Sequence, residues 1–174
     1  YLTTLVGSST AFSATHYSVL LDYAFPNFQE THPFVGGTLG LIARSSNFQG
    51  DPQRAYDCYI GQMNVEEKKV KIIRRRSNAE VELYSADLPN SSIARGTKHT
   101  IEFKCYGTTS TTLQLIIDSV LLANIGDNAT TRLTSGIPGI QVRNGTTYCD
   151  SFTVLQYTND GTTPSAWTPN QITG

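Results

Sequence analysis

Residues 65–84, VEEKKVKIIRRRSNAEVELY, decide the fold class. Glu66, Glu67, Lys68 and Lys69 are good helix formers, so one helix across Val65–Leu83 is the reading to beat. A half-buried helix would space its apolar residues at a period of about 3.6. Here Val70 and Ile72, then Ala79, Val81 and Leu83, alternate instead. Period two belongs to a strand with one face turned to a core, so this stretch predicts two strands, Val70–Arg75 and Ala79–Tyr84.

The same alternation recurs on both sides. In HYSVLLDYAF, Tyr17, Val19, Leu21 and Tyr23 share one parity. A loop through Pro26, Pro33 and Gly36-Gly37 leads to TLGLIAR (Thr38–Arg44), and a polar loop then leads to AYDCYIGQM (Ala55–Met63). Further on come TIEFKCY (Thr100–Tyr106) and LQLIIDSVLLANIG, read as a hairpin turning at Asp118-Ser119. GIPGIQVRNG and YCDSFTVLQY close the series, joined at Asn144-Gly145, a strong hairpin signal. About nine or ten strands suffice for two packed sheets. Residues 1–157 therefore read as one all-β unit. Residues 158–174, TNDGTTPSAWTPNQITG, read as a Thr/Pro/Asn-rich tail or linker that offers contacts to other modules or to a second copy.

Composition agrees. Of 174 residues only 16% are charged, and 23 Thr and 15 Ser supply the polarity. Such β-branched and turn-forming residues favour strands and loops, which argues against a helix bundle or a doubly wound α/β fold. The net charge of −1 provides no general attraction for nucleic acid, and no apolar run is long enough for a membrane helix. Three scattered cysteines read as buried thiols rather than a disulfide framework. The start at Tyr1 reads as a processed product or a piece of something longer.

The order of segments resembles the concanavalin A-like lectin/glucanase superfamily, in particular its laminin-G-like and carbohydrate-binding-module branches. The resemblance rests on GLIAR (Gly40–Arg44), the tyrosine-bearing strand at Tyr56–Ile60, LIIDSVLL (Leu115–Leu122), SGIPGI (Ser135–Ile140) and DSFTV (Asp150–Val154). It spans about residues 15–157, and Ser119 stands where Gly is usual. It implies a two-sheet antiparallel jelly-roll sandwich whose curved outer face takes a glycan. It also implies calcium near the sandwich edge, for which Asp22 and Asp150 are the candidate ligands.

Glycoside hydrolysis needs two carboxyls placed across the scissile bond. The E-x-D-x-x-E string of the related glucanases is missing, and Glu80-Val81-Glu82 is the nearest approach. No catalytic triad, H-E-x-x-H or phosphate-binding loop is legible. The expected function is therefore non-catalytic carbohydrate recognition, extracellular or surface-displayed. The alternatives are a structural or adhesive domain of a virion, fibre or cell surface and, behind it, a hydrolase or lyase.

Sugar binding needs aromatic faces and planar hydrogen-bonding groups. Arg44, Tyr56, Tyr59, Tyr84 and Phe48 are placed to border the groove. In the Tyr56–Met63 strand, Cys58 and Ile60 read as core, which turns Asp57 and Tyr59 toward a ligand unless they are ordinary exposed residues. Alternation puts Lys69, Lys71 and Arg75 on one face and Arg74 and Arg76 on the other. That stripe reads either as a seat for an anionic glycan, with Arg75 a ligand contact, or as a charged face protecting a sheet edge.

Overall fold

The computed structural model describes residues 2–4, 15–25, 37–46, 57–77, 79–94, 96–143, 148–158, 161 and 170–171. The strands are β1 (Leu2–Thr4), β2 (Tyr17–Ala24), β3 (Thr38–Ser46), β4 (Asp57–Asn64), β5 (Lys69–Arg76) and β6 (Ala79–Asp87). They continue with β7 (Lys98–Tyr106), β8 (Thr111–Ile117), β9 (Val120–Asp127), β10 (Ile137–Arg143), β11 (Tyr148–Gln156) and β12 (Asn170–Gln171). A short 3-10 helix covers Asn90–Ile93. Residues 65–68 make the turn that leads into β5, and the alternating stretch forms β5 and β6, two strands rather than one helix. The backbone turns between them with Ser77 in the left-handed region at φ 46°.

One sheet has the order β1-β10-β3-β4-β5-β6 and the other β12-β11-β2-β7-β8-β9. All neighbours are antiparallel. Among the described residues each sheet thus has five long strands and a short sixth at one margin. The result is the two-layer sandwich that the periodicity predicts. Asp118 and Ser119 have φ of 50° and 66°, the left-handed pair of a tight two-residue hairpin, so Ser119 adopts the conformation for which glycine is the easier choice. The Asn144-Gly145 turn, Tyr56, Phe48 and Trp167 lie outside the described residues. β12, drawn from the stretch beyond Tyr157, pairs with β11.

The core lies between the sheets. Tyr17, Val19, Leu21 and Tyr23 of β2 all point into it, each at most 1% exposed, against Ile101, Phe103, Leu113 and Leu115 of the same sheet and Leu39, Leu41, Tyr59, Met63, Val70 and Ile72 of the other. Burial of each large side chain stabilises by about 1.5–3 kcal/mol. Gly61 faces inward where a Cβ would run into the Phe103 ring, so its bare backbone makes room for that ring. Cys58 and Cys105 are buried free thiols and Cys149 is an exposed one.

Candidate functional site

Because alternate residues of β3, β4 and β5 enter the core, their neighbours form the outer face of the first sheet. Register arranges that face in rows. Arg143, Thr38, Asn64, Lys69 and Asp87 lie side by side across β10, β3, β4, β5 and β6, followed by Gln141, Gly40, Gln62, Lys71 and Ser85. The third row is Gly139, Ile42, Ile60, Ile73 and Glu82, and beyond it Cys58, Arg75 and Glu80 align. The first two rows are almost wholly polar. The last two hold a second apolar cluster, Ile42, Cys58, Ile60 and Ile73, buried apart from the main core.

Over this apolar patch the long polar side chains converge. Arg75 donates from Nε to Glu80 Oε1 at 2.9 Å and from Nη2 to the same oxygen. Arg143 brings Nη2 within 3.6 Å of that oxygen from the far side of the face. With its amide oxygen turned toward Arg143, Gln141 accepts from that guanidinium, at 3.2 Å from Nη2. Gly40 lies under this lattice, where a Cβ would stand 3.1 Å from Ile60 and 3.4 Å from the Gln62 Cβ. On the other side, Lys71 Nζ lies 2.6 Å from Glu67 of the β4–β5 turn and 3.5 Å from Glu82 of β6. The hydrogen bond to Glu67 holds the Lys71 ammonium above the usual lysine range. Between these pairs opens a cavity of about 310 Å³, lined by Thr38, Gln62, Asn64, Glu67, Lys71, Ile73, Glu80, Glu82 and Arg143. It offers guanidinium and ammonium donors, carboxylate acceptors and two amides that do both, above an isoleucine floor.

Of the residues singled out from sequence, Arg75 reaches this face. Tyr59 does not, and the face assignment of β4 is inverted. Tyr59 is fully buried between the sheets, donating to Asp127 Oδ2 at 2.7 Å and accepting from the Leu133 amide at 3.0 Å. Cys58 and Ile60, which looked like core, are indeed buried, but in the outer cluster. Burial pushes the Cys58 thiol up to about 12.

Arg44 is also fully buried, in a left-handed bulge of β3 at φ 51°. Its guanidinium donates to Thr111 Oγ1 at 2.8 Å and to the carbonyls of Leu133, Gly107 and Thr15. Arg44 is thus a clamp between segments and no ligand contact. Asp57 accepts from Arg76 Nε at 3.1 Å and from the Ser77 amide at 2.8 Å, fastening the β5–β6 turn. Tyr84 donates to the Leu122 carbonyl of the opposite sheet at 2.9 Å and is likewise absent from the face.

Asp22 and Asp150 do come together, but around a lysine. Lys98 Nζ stands 2.6 Å from Asp150 and 3.5 Å from Asp22, and Asp22 also accepts from Thr100 and Ser151 hydroxyls at 2.9 and 2.8 Å. Burial raises the Asp22 carboxyl, yet those hydrogen bonds and Lys98 bring it below the usual aspartate range. Both carboxylates are thus engaged by one ammonium, and two carboxylates supply few of the about six to eight oxygens that calcium takes. Among the described residues no group of three or more His, Cys, Asp or Glu is arranged to hold a metal ion.

Gln62, Gln141 and Arg143 were not legible as site residues. Gln141 and Arg143 share a parity, but their place beside β3 comes from a pairing about a hundred residues distant in sequence, which no local pattern encodes.

No family model and no curated protein matches the chain by sequence. Solved structures do match by shape. A carbohydrate-binding module from Bacillus subtilis superposes with a TM-score of 0.63 at 15% identity, over 83% of this chain and 77% of that one. A galectin from Caenorhabditis elegans gives 0.56 at 11% identity, over 88% and 89%. A legume lectin-like domain from Entamoeba histolytica gives 0.56 at 10% identity, over 85% and 76%. The sandwich is a concanavalin A-like lectin fold.

Proposed function

We propose that the chain is a non-catalytic carbohydrate-recognition module that binds a glycan in the outer cleft of the β10-β3-β4-β5-β6 face. The observation that carries this reading is the convergence of Arg75, Arg143, Gln141, Glu80, Lys71 and Glu82 over an apolar floor, on a sheet whose fold is shared with lectins and carbohydrate-binding modules. A sugar ring has hydroxyls that both donate and accept, and a CH face that prefers apolar contact. Fixed guanidinium and carboxylate groups meet the hydroxyls, and Ile73 meets the ring. Pre-paired side chains lose little freedom on binding, which favours affinity.

Hydrolysis has little support here. Glu80 is engaged by two guanidinium groups and Glu82 by Lys71, so neither is placed as a proton donor to a leaving group.

A second reading, assembly with other chains, draws on one observation. Val81, Val120 and Leu121 are exposed by 46%, 57% and 52%, and all three lie on β6 and β9, which end the two sheets.

Calorimetric titration with a panel of oligosaccharides tests the main reading. The wild-type chain is expected to bind at least one, and Glu80→Gln and Arg143→Ala to weaken it about ten- to a hundredfold, the worth of a lost charged hydrogen bond. Absence of binding across the panel, or wild-type affinity in both variants, would refute it.

A further inference from the structure

The basic run of β5 looked from sequence like a stripe for an anionic ligand. In the structure its charges are already answered. Lys69 pairs with Asp87, Lys71 with Glu67 and Glu82, Arg74 with Asp127, Arg75 with Glu80 and Arg76 with Asp57. Within the cleft walls Glu67 and Glu82 flank Lys71, and Glu80 lies between Arg143 and the more deeply buried Arg75. Resting on the glycan reading above, we infer that the cleft selects uncharged glycans, and that Glu67 and Glu82 are the specificity-determining residues that turn away sulfated and uronic acid units.

The physical reason lies at Lys71. Its ammonium has three donors, and the carboxylates at 2.6 and 3.5 Å engage it from two sides. A sulfate or carboxylate arriving there must displace one of them or remain beside both. Either way like charges are brought together in a partly enclosed site. A neutral hydroxyl faces no such conflict, since it accepts from the ammonium while donating to Glu67 or Glu82. The side chains remain accessible enough to do this, at 20% exposure for Lys71 and 51% for each carboxylate. On the opposite wall the charges are arranged the other way round, with the Glu80 carboxylate between Arg75 and Arg143, so the discrimination against anions rests on Glu67 and Glu82.

The test compares the wild-type chain with the Glu67→Gln/Glu82→Gln double variant, and with Glu82→Gln alone should the double variant fail to give a cooperative melt. The probes are immobilised neutral oligosaccharides, heparin as the sulfated glycan and polygalacturonate as the polyuronate. Wild-type protein is expected to bind a neutral probe and to bind both anionic probes at least about tenfold more weakly. Freeing Lys71 is expected to raise the ratio of anionic to neutral affinity by about tenfold, with the gain falling away as salt is added. Wild-type preference for heparin or polygalacturonate would overturn this inference while leaving glycan recognition standing. An unchanged ratio in the variants would overturn the role of Glu67 and Glu82. Binding to none of the probes would remove both the inference and the reading on which it rests.

Discussion

Two guanidinium networks in this molecule use the same chemistry for opposite ends. Between the sheets, Arg44 is fully buried and spends its donors on Thr111 Oγ1 and the carbonyls of Thr15, Gly107 and Leu133, while Tyr59, Arg74 and Asp127 close the neighbouring circuit at 2.7–2.8 Å. On the outer face, Arg75 and Arg143 share Glu80, but Arg143 and Glu80 remain 35% and 38% exposed. The first network is complete and holds chain segments together. The second retains hydrogen-bonding capacity that solvent or a ligand can reach. What separates a clamp from a binding site is therefore whether the protein's own backbone has consumed the donors, and not the residue types involved.

The contrast has a large consequence for stability. Arg44→Ala should leave several buried carbonyls without donors and cost about 3–5 kcal/mol, read as a fall in thermal and denaturant midpoints. Glu80→Gln, on the half-exposed outer network, should cost no more than about 1 kcal/mol. Comparable losses from the two would break the distinction.

A smaller effect sharpens it through pH. Burial raises the Asp127 carboxyl, but the hydrogen bonds from Tyr59, Arg74 and the Ala129 amide outweigh that and hold it below the usual aspartate range. The unfolded chain therefore takes up this proton more readily than the folded one. Asp127 contributes stability above the ordinary aspartate value of about 4, and that contribution is lost as pH falls through the depressed native value. Urea unfolding at neutral and acidic pH should show Asp127→Asn less stable than wild type near neutrality, with the gap closing in acid. A gap that stays constant would contradict the closed circuit.

The sequence disclosed the fold more readily than the site, for a reason visible in single strands. In β2 only one parity is bulky and apolar enough to read as core throughout, and Tyr17, Val19, Leu21 and Tyr23 take the core as their spacing indicates. In β5 the parity also sorts the cations correctly, with Lys69, Lys71 and Arg75 outside and Arg74 reaching Asp127. β4 defeats the same rule because both of its faces are buried: Tyr59 and Met63 in the main core, Cys58 and Ile60 in the outer cluster. A strand buried on both faces gives no alternation to read. The one local clue is Gly61, a residue without a side chain on the face where Phe103 packs. Arg143 and Gln141 were hidden for another reason, since only the register of β10 on β3 brings them over the face.

Where a sugar settles on the sandwich decides whether the outer cleft is the binding site. Backbone amide spectra recorded during titration with the tightest-binding neutral oligosaccharide should move at Thr38, Gln62, Asn64, Lys71, Glu82 and Arg143, with the β2-β7-β8 layer undisturbed. Shifts confined to that second layer, or spectra that do not change at saturating sugar, would contradict a cleft on the first sheet.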